Sequence, residues 1–341
     1  MDLDRQRPAQ RDHQVQVHHR HALRQKPLER HRGVPGHLPR HRGDRRRPRA
    51  QAHPARRPRR LRRQAQRRAR RLPRFDDHLR VRVRVSHPER QSGSVPSGDE
   101  DFSRRFPRIL DEEGRRRKAE KILAVLREHL GDLTALRLLD IGCAGGQITH
   151  RLGEQVRQAV GLDVDEHALA LARREAAPNV SFVRADGTRL PFGDGEFDLV
   201  VCNHVYEHVE SAERLLAEIR RVLRPGGVCY FAAANRLMPI EAHYRLPLLS
   251  WLPKPLADRY VRLAGRGTAY PERHLSYFGL RRLVRGFAIT DYTGRILEDP
   301  ERFASEDMLP AGSLIRRLAP VLYRAAPWIS PSYVWLLTKQ G

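Results

Sequence analysis

Three carboxylates recur at a fixed interval through the middle of this 341-residue chain: Asp140, Asp163 and Asp186, each 23 residues from the next. Each closes an apolar run, "RLLD", "AVGLD" and "SFVRAD". Directly after the first come Gly142, Gly145 and Gly146. Glycines let a backbone turn sharply and approach a ligand without interference from a Cβ. A carboxylate at the end of a second strand can accept from both hydroxyls of a ribose. The spacing does not suit a dinucleotide, because G-x-G-x-x-G counted from Gly142 needs glycine where Ala144 and Gln147 stand. A nucleoside ligand without a pyrophosphate is the chemistry this combination serves.

Those residues need strands and helices to position them, and the hydrophobic pattern supplies both. "RRRKAEKILAVLREHLG" puts Ile122, Leu126 and Leu130 on one helical stripe and stops at Gly131. "LRLLDIG", "QAVGLD", "VSFVRAD", "FDLVVCN" and, after the turn "RPGG", "VCYFAAAN" read as five strands. Helical segments separate them: "QITHRLGEQV", "DEHALALARREA" with Asp165 as N-cap, and "AERLLAEIRRVL". Strands alternating with helices of this length predict βαβ units and a doubly wound α/β fold, whose ligands bind beyond the strand C-termini.

Composition divides the chain sharply. Residues 1–98 hold 29 Lys and Arg against 8 Asp and Glu, +21 of the total +25, which leaves +4 for residues 99–341. With one aromatic and almost no periodicity, the first segment is expected to be disordered. The reading that best fits its Arg, His and Pro content is a stretch without selected function, as translation of GC-rich DNA in a non-native frame would give. A basic arm for nucleic acid and a targeting peptide are the alternatives. "QSGSVPSGDED" is the linker to a patterned domain over 99–341. Cys143, Cys202 and Cys229 lack metal or disulfide spacing, so reduced thiols in a cytoplasmic protein and no metal site are expected. No apolar stretch has the length of a membrane-spanning helix.

Four motifs in order, "LLDIGCAGG", "GLDVDEHAL", "RADGTRLPFGDGEFDLVVCNHVYEHV" and "RVLRPGG", resemble the class I S-adenosylmethionine-dependent methyltransferase family, in the branch that includes quinone-biosynthesis methyltransferases. The resemblance runs continuously over roughly 105–235. It implies a Rossmann-like, mostly parallel seven-stranded sheet with an antiparallel C-terminal strand, and S-adenosyl-L-methionine as cofactor. The loop from Asp140 through Gly142, Cys143, Gly145 and Gly146 would wrap the methionine part. Asp163, followed by Val164, would hold the ribose, Asp186 and Gly187 would meet the adenine edge, and Asn203 would lie beside the sulfonium. The family's loop usually reads D-x-G-x-G-x-G, and here Ala144 replaces the middle glycine. Asp140 reads equally well as a carboxylate that hydrogen-bonds loop amides, and the cysteines as small apolar fillers.

Residues 235–275 are too long for a simple loop, and their Pro, Trp, Tyr and Leu predict a folded lid over the acceptor. Within it, Glu241 and His243 lie two apart, so an extended segment would place them on one side with His243 as a candidate base. The plainer reading of His243 is a capping residue. His208 is a second candidate for substrate contact, and reads otherwise as the start of the next helix. "FAITDYTGRIL" and "PSYVWLLTKQ" read as a closing hairpin, and between them "LIRRLAPVLYRAAPWI" is amphipathic, a packing helix or a contact for a membrane or lipid-like acceptor. The function expected is methyl transfer to a small-molecule acceptor by in-line displacement. The alternatives are a nucleic-acid-binding or -modifying protein using the basic arm, and a catalytically silent partner subunit.

Overall fold

The computed structural model describes residues 102–341 apart from 308 and 310, so the expectation of disorder over 1–98 lies outside the described residues. Seven strands form one sheet in the order β3-β2-β1-β4-β5-β7-β6. They are β1 (Arg137–Ile141), β2 (Gln158–Asp163), β3 (Val180–Arg184), β4 (Phe197–Asn203), β5 (Leu223–Ala234), β6 (Ala288–Asp291) and β7 (Ser332–Thr338). Pairing is parallel from β3 through β5, and β7 runs antiparallel to both of its neighbours. The chain winds outward from β1 to β3 and then returns to β4, which leaves a crevice at the C-terminal ends of β1 and β4.

Helices α1 (Phe102–Arg105), α2 (Glu112–Leu130), α3 (Gln147–Gly153), α4 (Glu166–Ala172), α5 (Ala212–Val222), α6 (Lys254–Leu263), α7 (Tyr277–Leu283), α8 (Thr293–Glu298) and α9 (Leu314–Ala325) complete the fold. Alternation along each strand divides the core into two layers, because successive side chains point to opposite faces. Leu138 packs with Ile122 and Leu126 of α2 and Ile148 and Leu152 of α3. Leu139 and Ile141 pack on the other face with Leu215 and Ile219 of α5 and Leu280 of α7.

Local signals set the helix ends. Asp111 accepts from the Gly114 amide and starts α2 three residues before Arg115, and Gly131 ends it at φ 83°. Asp165 caps α4 through the Ala168 amide. The helix after β4 begins only at Ala212, capped by Ser211, so His208 belongs to the turn before it and not to the helix start. "RPGG" is no separate turn. It is a bulge inside β5, where pairing with β4 jumps from Leu223 to Val228 and Gly226 takes φ 74°.

The C-terminal reading needs one correction. "FAITDYTGRIL" contributes only the four-residue β6, and the chain then coils into α8. Asp291 accepts from the Thr293 amide, an Asx turn that diverts the backbone out of the strand. The insert over 235–275 packs around its own small core of Tyr244, Leu246, Leu249, Ala257, Val261 and Tyr270, joined by Phe106.

Candidate functional site

At the end of β1 the chain reverses through Gly142, at φ 72°, whose amide donates to the Leu162 carbonyl at 2.8 Å. A Cβ there would lie 2.6 Å from Val205 Cγ2, so the turn and the β4 loop approach as closely as glycine permits. Gly146, at φ 80°, opens α3, and a Cβ on it would lie 2.7 Å from the Ala172 methyl and 2.8 Å from the Phe182 ring. Neither glycine leaves room for a side chain, but Gly142 borders a cavity and Gly146 lies inside packing.

That space is a cavity of about 650 Å³ over the C-terminal ends of β1, β2 and β4. Gly142, Asp163, Val164, Asp186, Gly187, Asn203, His208 and His243 line it together. Asp140, Cys143, Gly145 and Gly146 do not. Asp140, 3% exposed, lies behind the wall and accepts from Thr149 Oγ1 at 2.7 Å. Burial pushes its carboxyl up to about 7. Its partner is a hydroxyl from α3, neither a loop amide nor the cavity. All three cysteines are buried free thiols.

Asp163 holds the loop in shape. Its Oδ2 accepts from the Ala144 amide at 2.7 Å and its Oδ1 from the Asp165 amide at 3.0 Å. Burial raises its carboxyl above the usual range. Ala144 sits at φ 47°, so the position that departs from the family pattern keeps a left-handed backbone, a conformation glycine adopts more easily. Asp198 stays out of the site: it accepts from the Arg137 amide at 2.8 Å and pairs with Arg224.

The cavity roof comes from α1, α2 and the insert. Arg115 and Lys118 of α2 reach the cavity, as do Phe102, Phe106, His204 and the stretch from Ala242 to Arg245. Burial draws the Lys118 ammonium down to about 8. The His243 ring packs edge-on against Phe102, with ring centres 5.4 Å apart, and lies 5.0 Å from the His208 ring. Burial lowers both imidazoles, His208 to about 4, so both are neutral at neutral pH.

Glu241 does not pair with the His243 ring as an extended segment would have it. The segment is a turn, and Glu241 Oε2 accepts instead from the amides of His243 at 2.8 Å and Tyr244 at 2.7 Å. A pairing that sequence reasoning missed lies on the other side: His204 Nδ1 is 3.4 Å from Glu207 Oε1, and Glu207 is almost fully buried. Its i,i+3 spacing was the available signal. Arg115 and Lys118 left no such trace, because nothing in "RRRK" ties α2 to a loop at residue 142.

Residues 139–231 match the family model described as a methyltransferase domain. Over 129 residues the chain is 36% identical to the demethylmenaquinone methyltransferase of Lactococcus lactis, covering 36% of this chain and 48% of that protein. Over 156 residues it is 33% identical to a ubiquinone biosynthesis O-methyltransferase of Aromatoleum aromaticum, covering 40% of this chain and 66% of that one. The matched part of the chain thus spans 48% and 66% of the length of these two relatives. A solved S-adenosylmethionine-dependent methyltransferase from Mesorhizobium loti superposes with a TM-score of 0.42 at 21% identity, over 63% of this chain and 95% of that one.

Proposed function

We propose, from the premise that this chain belongs to the class I S-adenosylmethionine-dependent methyltransferase family, that it methylates a small-molecule acceptor by in-line displacement in this cavity. One observation carries the reading. The glycine turn, a ribose-type carboxylate and the end of β4 share one cavity with the side chains of the insert.

The residues fit the cofactor. Each oxygen of the Asp163 carboxylate accepts one backbone amide and keeps capacity for a hydroxyl. Leu162, Val164 and Ala185 offer apolar walls for a flat base, with Asp186 at its edge. Gly142 clears room for the methionine part, and Arg115 supplies a cation on the side where a carboxylate tail would end. Bound there, S-adenosylmethionine supplies a methyl group already activated by its sulfonium.

The chain's own task is then to align the acceptor and exclude water. Phe102, Phe106 and the insert roof the cavity, and His243, neutral at pH 7, is the group placed to take a proton from a hydroxyl acceptor. The names of the relatives, and the Phe102, Phe106 and Tyr244 rings that line the cavity, support an acceptor with an apolar or quinone-like body. We place the protein in the cytoplasm, which its buried free thiols suit. The nucleic-acid reading drew on residues 1–98, which lie outside the described residues.

Calorimetry of the full chain with S-adenosylmethionine and S-adenosylhomocysteine tests the reading. Binding is expected, weakened about a hundredfold in Asp163→Ala, which removes both ribose acceptors. Thermal melting of the variant separates lost binding from lost folding. No binding by the unmodified chain overturns the proposal.

A further inference from the structure

Helix α9 is mounted the wrong way round for a packing helix. It is strongly amphipathic, yet none of its residues is buried. Leu314, Ile315, Leu318, Val321 and Leu322, spaced i, i+1, i+4, i+7 and i+8, share one face, and all are exposed, Leu314 by 69% and Val321 by 58%. The opposite face is the one fastened to the body: Arg316 pairs with Glu301, Tyr323 donates to Asp291, and Arg324 pairs with Glu298. The apolar stripe continues into the turn after the helix, where Trp328 and Ile329 are also exposed.

That turn lies at the cavity's end of the sheet. Ser332 pairs with Ala234, the last residue of β5, and Asn235 Nδ2 donates to the carbonyls of Trp328 and Ser330, both at 2.8 Å. Asn235 begins the insert, on which Leu248 and Trp251 are exposed as well. Charge identifies what the face meets. Residues 308–341 contain no Asp or Glu but carry Arg316, Arg317, Arg324 and Lys339, of which Glu301 and Glu298 offset Arg316 and Arg324. Arg317 is exposed along one edge of the apolar stripe. A second copy would bring the same positive charge against it, whereas an anionic surface complements it.

We infer that α9 and the Trp328 turn form an interfacial anchor that lays the apolar stripe into an anionic lipid bilayer, with Arg317 at the headgroups and Trp328 at the boundary. The anchor holds the insert's end of the molecule toward the membrane.

The test uses the full chain with vesicles of phosphatidylcholine and phosphatidylglycerol, and with phosphatidylcholine alone. Co-sedimentation is expected with the anionic vesicles and weaker binding with the neutral ones. Brominated acyl chains should quench fluorescence, and the quenching should diminish in Trp328→Phe. The double variant Leu318→Ser, Leu322→Ser alters exposed side chains only, and circular dichroism verifies its fold. It should weaken partitioning by on the order of tenfold at a salt concentration that screens the basic segment. Three results would overturn the inference: no binding to anionic vesicles, binding unaffected by the double variant, or a concentration-dependent dimer that the variant abolishes. The last would assign the face to a second copy.

Discussion

The floor and the roof of the cavity are built on opposite terms. On the floor, the acids at the strand ends have partners: Asp163 holds two amides, Asp140 takes the Thr149 hydroxyl, and Asp186 accepts from the Thr188 amide. Above it, the insert buries polar atoms without any. Both carboxylate oxygens of Glu272, both ring nitrogens of His274, the Tyr270 hydroxyl and Glu241 Oε1 have no hydrogen-bond partner among the described residues. His274 Nε2 approaches Glu241 Oε1 only to 3.9 Å. A floor fixed by backbone geometry can serve any acceptor, whereas a roof with unsatisfied buried groups is held by aromatic packing and is the part free to differ.

The strongest way to break that contrast is at a glycine packed beneath the floor. Gly146→Ala forces a methyl onto Ala172 and Phe182 in a left-handed backbone, and should cost about 3 kcal/mol of stability. Denaturant unfolding measures it. An unchanged midpoint would show that the floor yields as readily as the roof.

Next in size is the roof's buried carboxyl. Burial, reinforced by nearby Glu241, raises Glu272 to about 7 from an ordinary 4.5. The folded chain therefore holds a proton that the unfolded chain releases. Stability is full below the unfolded value and is lost as pH rises through about 7. Glu272→Gln should melt higher than the unmodified protein at about pH 8, by roughly 2–3 kcal/mol, with the gain vanishing near pH 4. Asp140, also raised to about 7, keeps a similar slope in the variant. A pH-independent difference would mean that Glu272 is already ionised and paired.

A smaller effect should separate the two halves by function. His243→Ala should lower turnover by at least about tenfold while leaving S-adenosylmethionine affinity unchanged in calorimetry. Equal turnover would leave His243 as packing against Phe102. Smallest of all, Ala144→Gly relaxes the φ of 47° and should stabilise the loop by up to about 1 kcal/mol, with cofactor affinity within about twofold of the unmodified chain. A larger gain in affinity would show that the Ala144 methyl obstructs the cavity.

Legibility in the sequence followed the same division. Strand periodicity, the cap Asp165 and the glycine turn are short-range features, and they place β1 to β5 and the floor where the pattern reads them. Three acids at equal intervals looked equivalent, but Thr149 on α3 turns Asp140 away from the cavity, a contact between elements that spacing does not encode. The insert failed in a similar way. Glu241 and His243 are two apart in any conformation, and only the turn, packed against Phe106, sends the carboxylate to the backbone.

By itself the sequence determined the order of strands and helices, the glycine-lined turn, and the acids at the strand ends, because each follows from periodicity or backbone preference over a few residues. Only the tertiary structure decided which acids face the cavity, that Arg115, Lys118 and His204 join it, and that α9 turns its apolar face outward. Those outcomes depend on ion pairs, packing and burial between residues far apart in the chain, where neither charge nor hydrophobicity carries a distance.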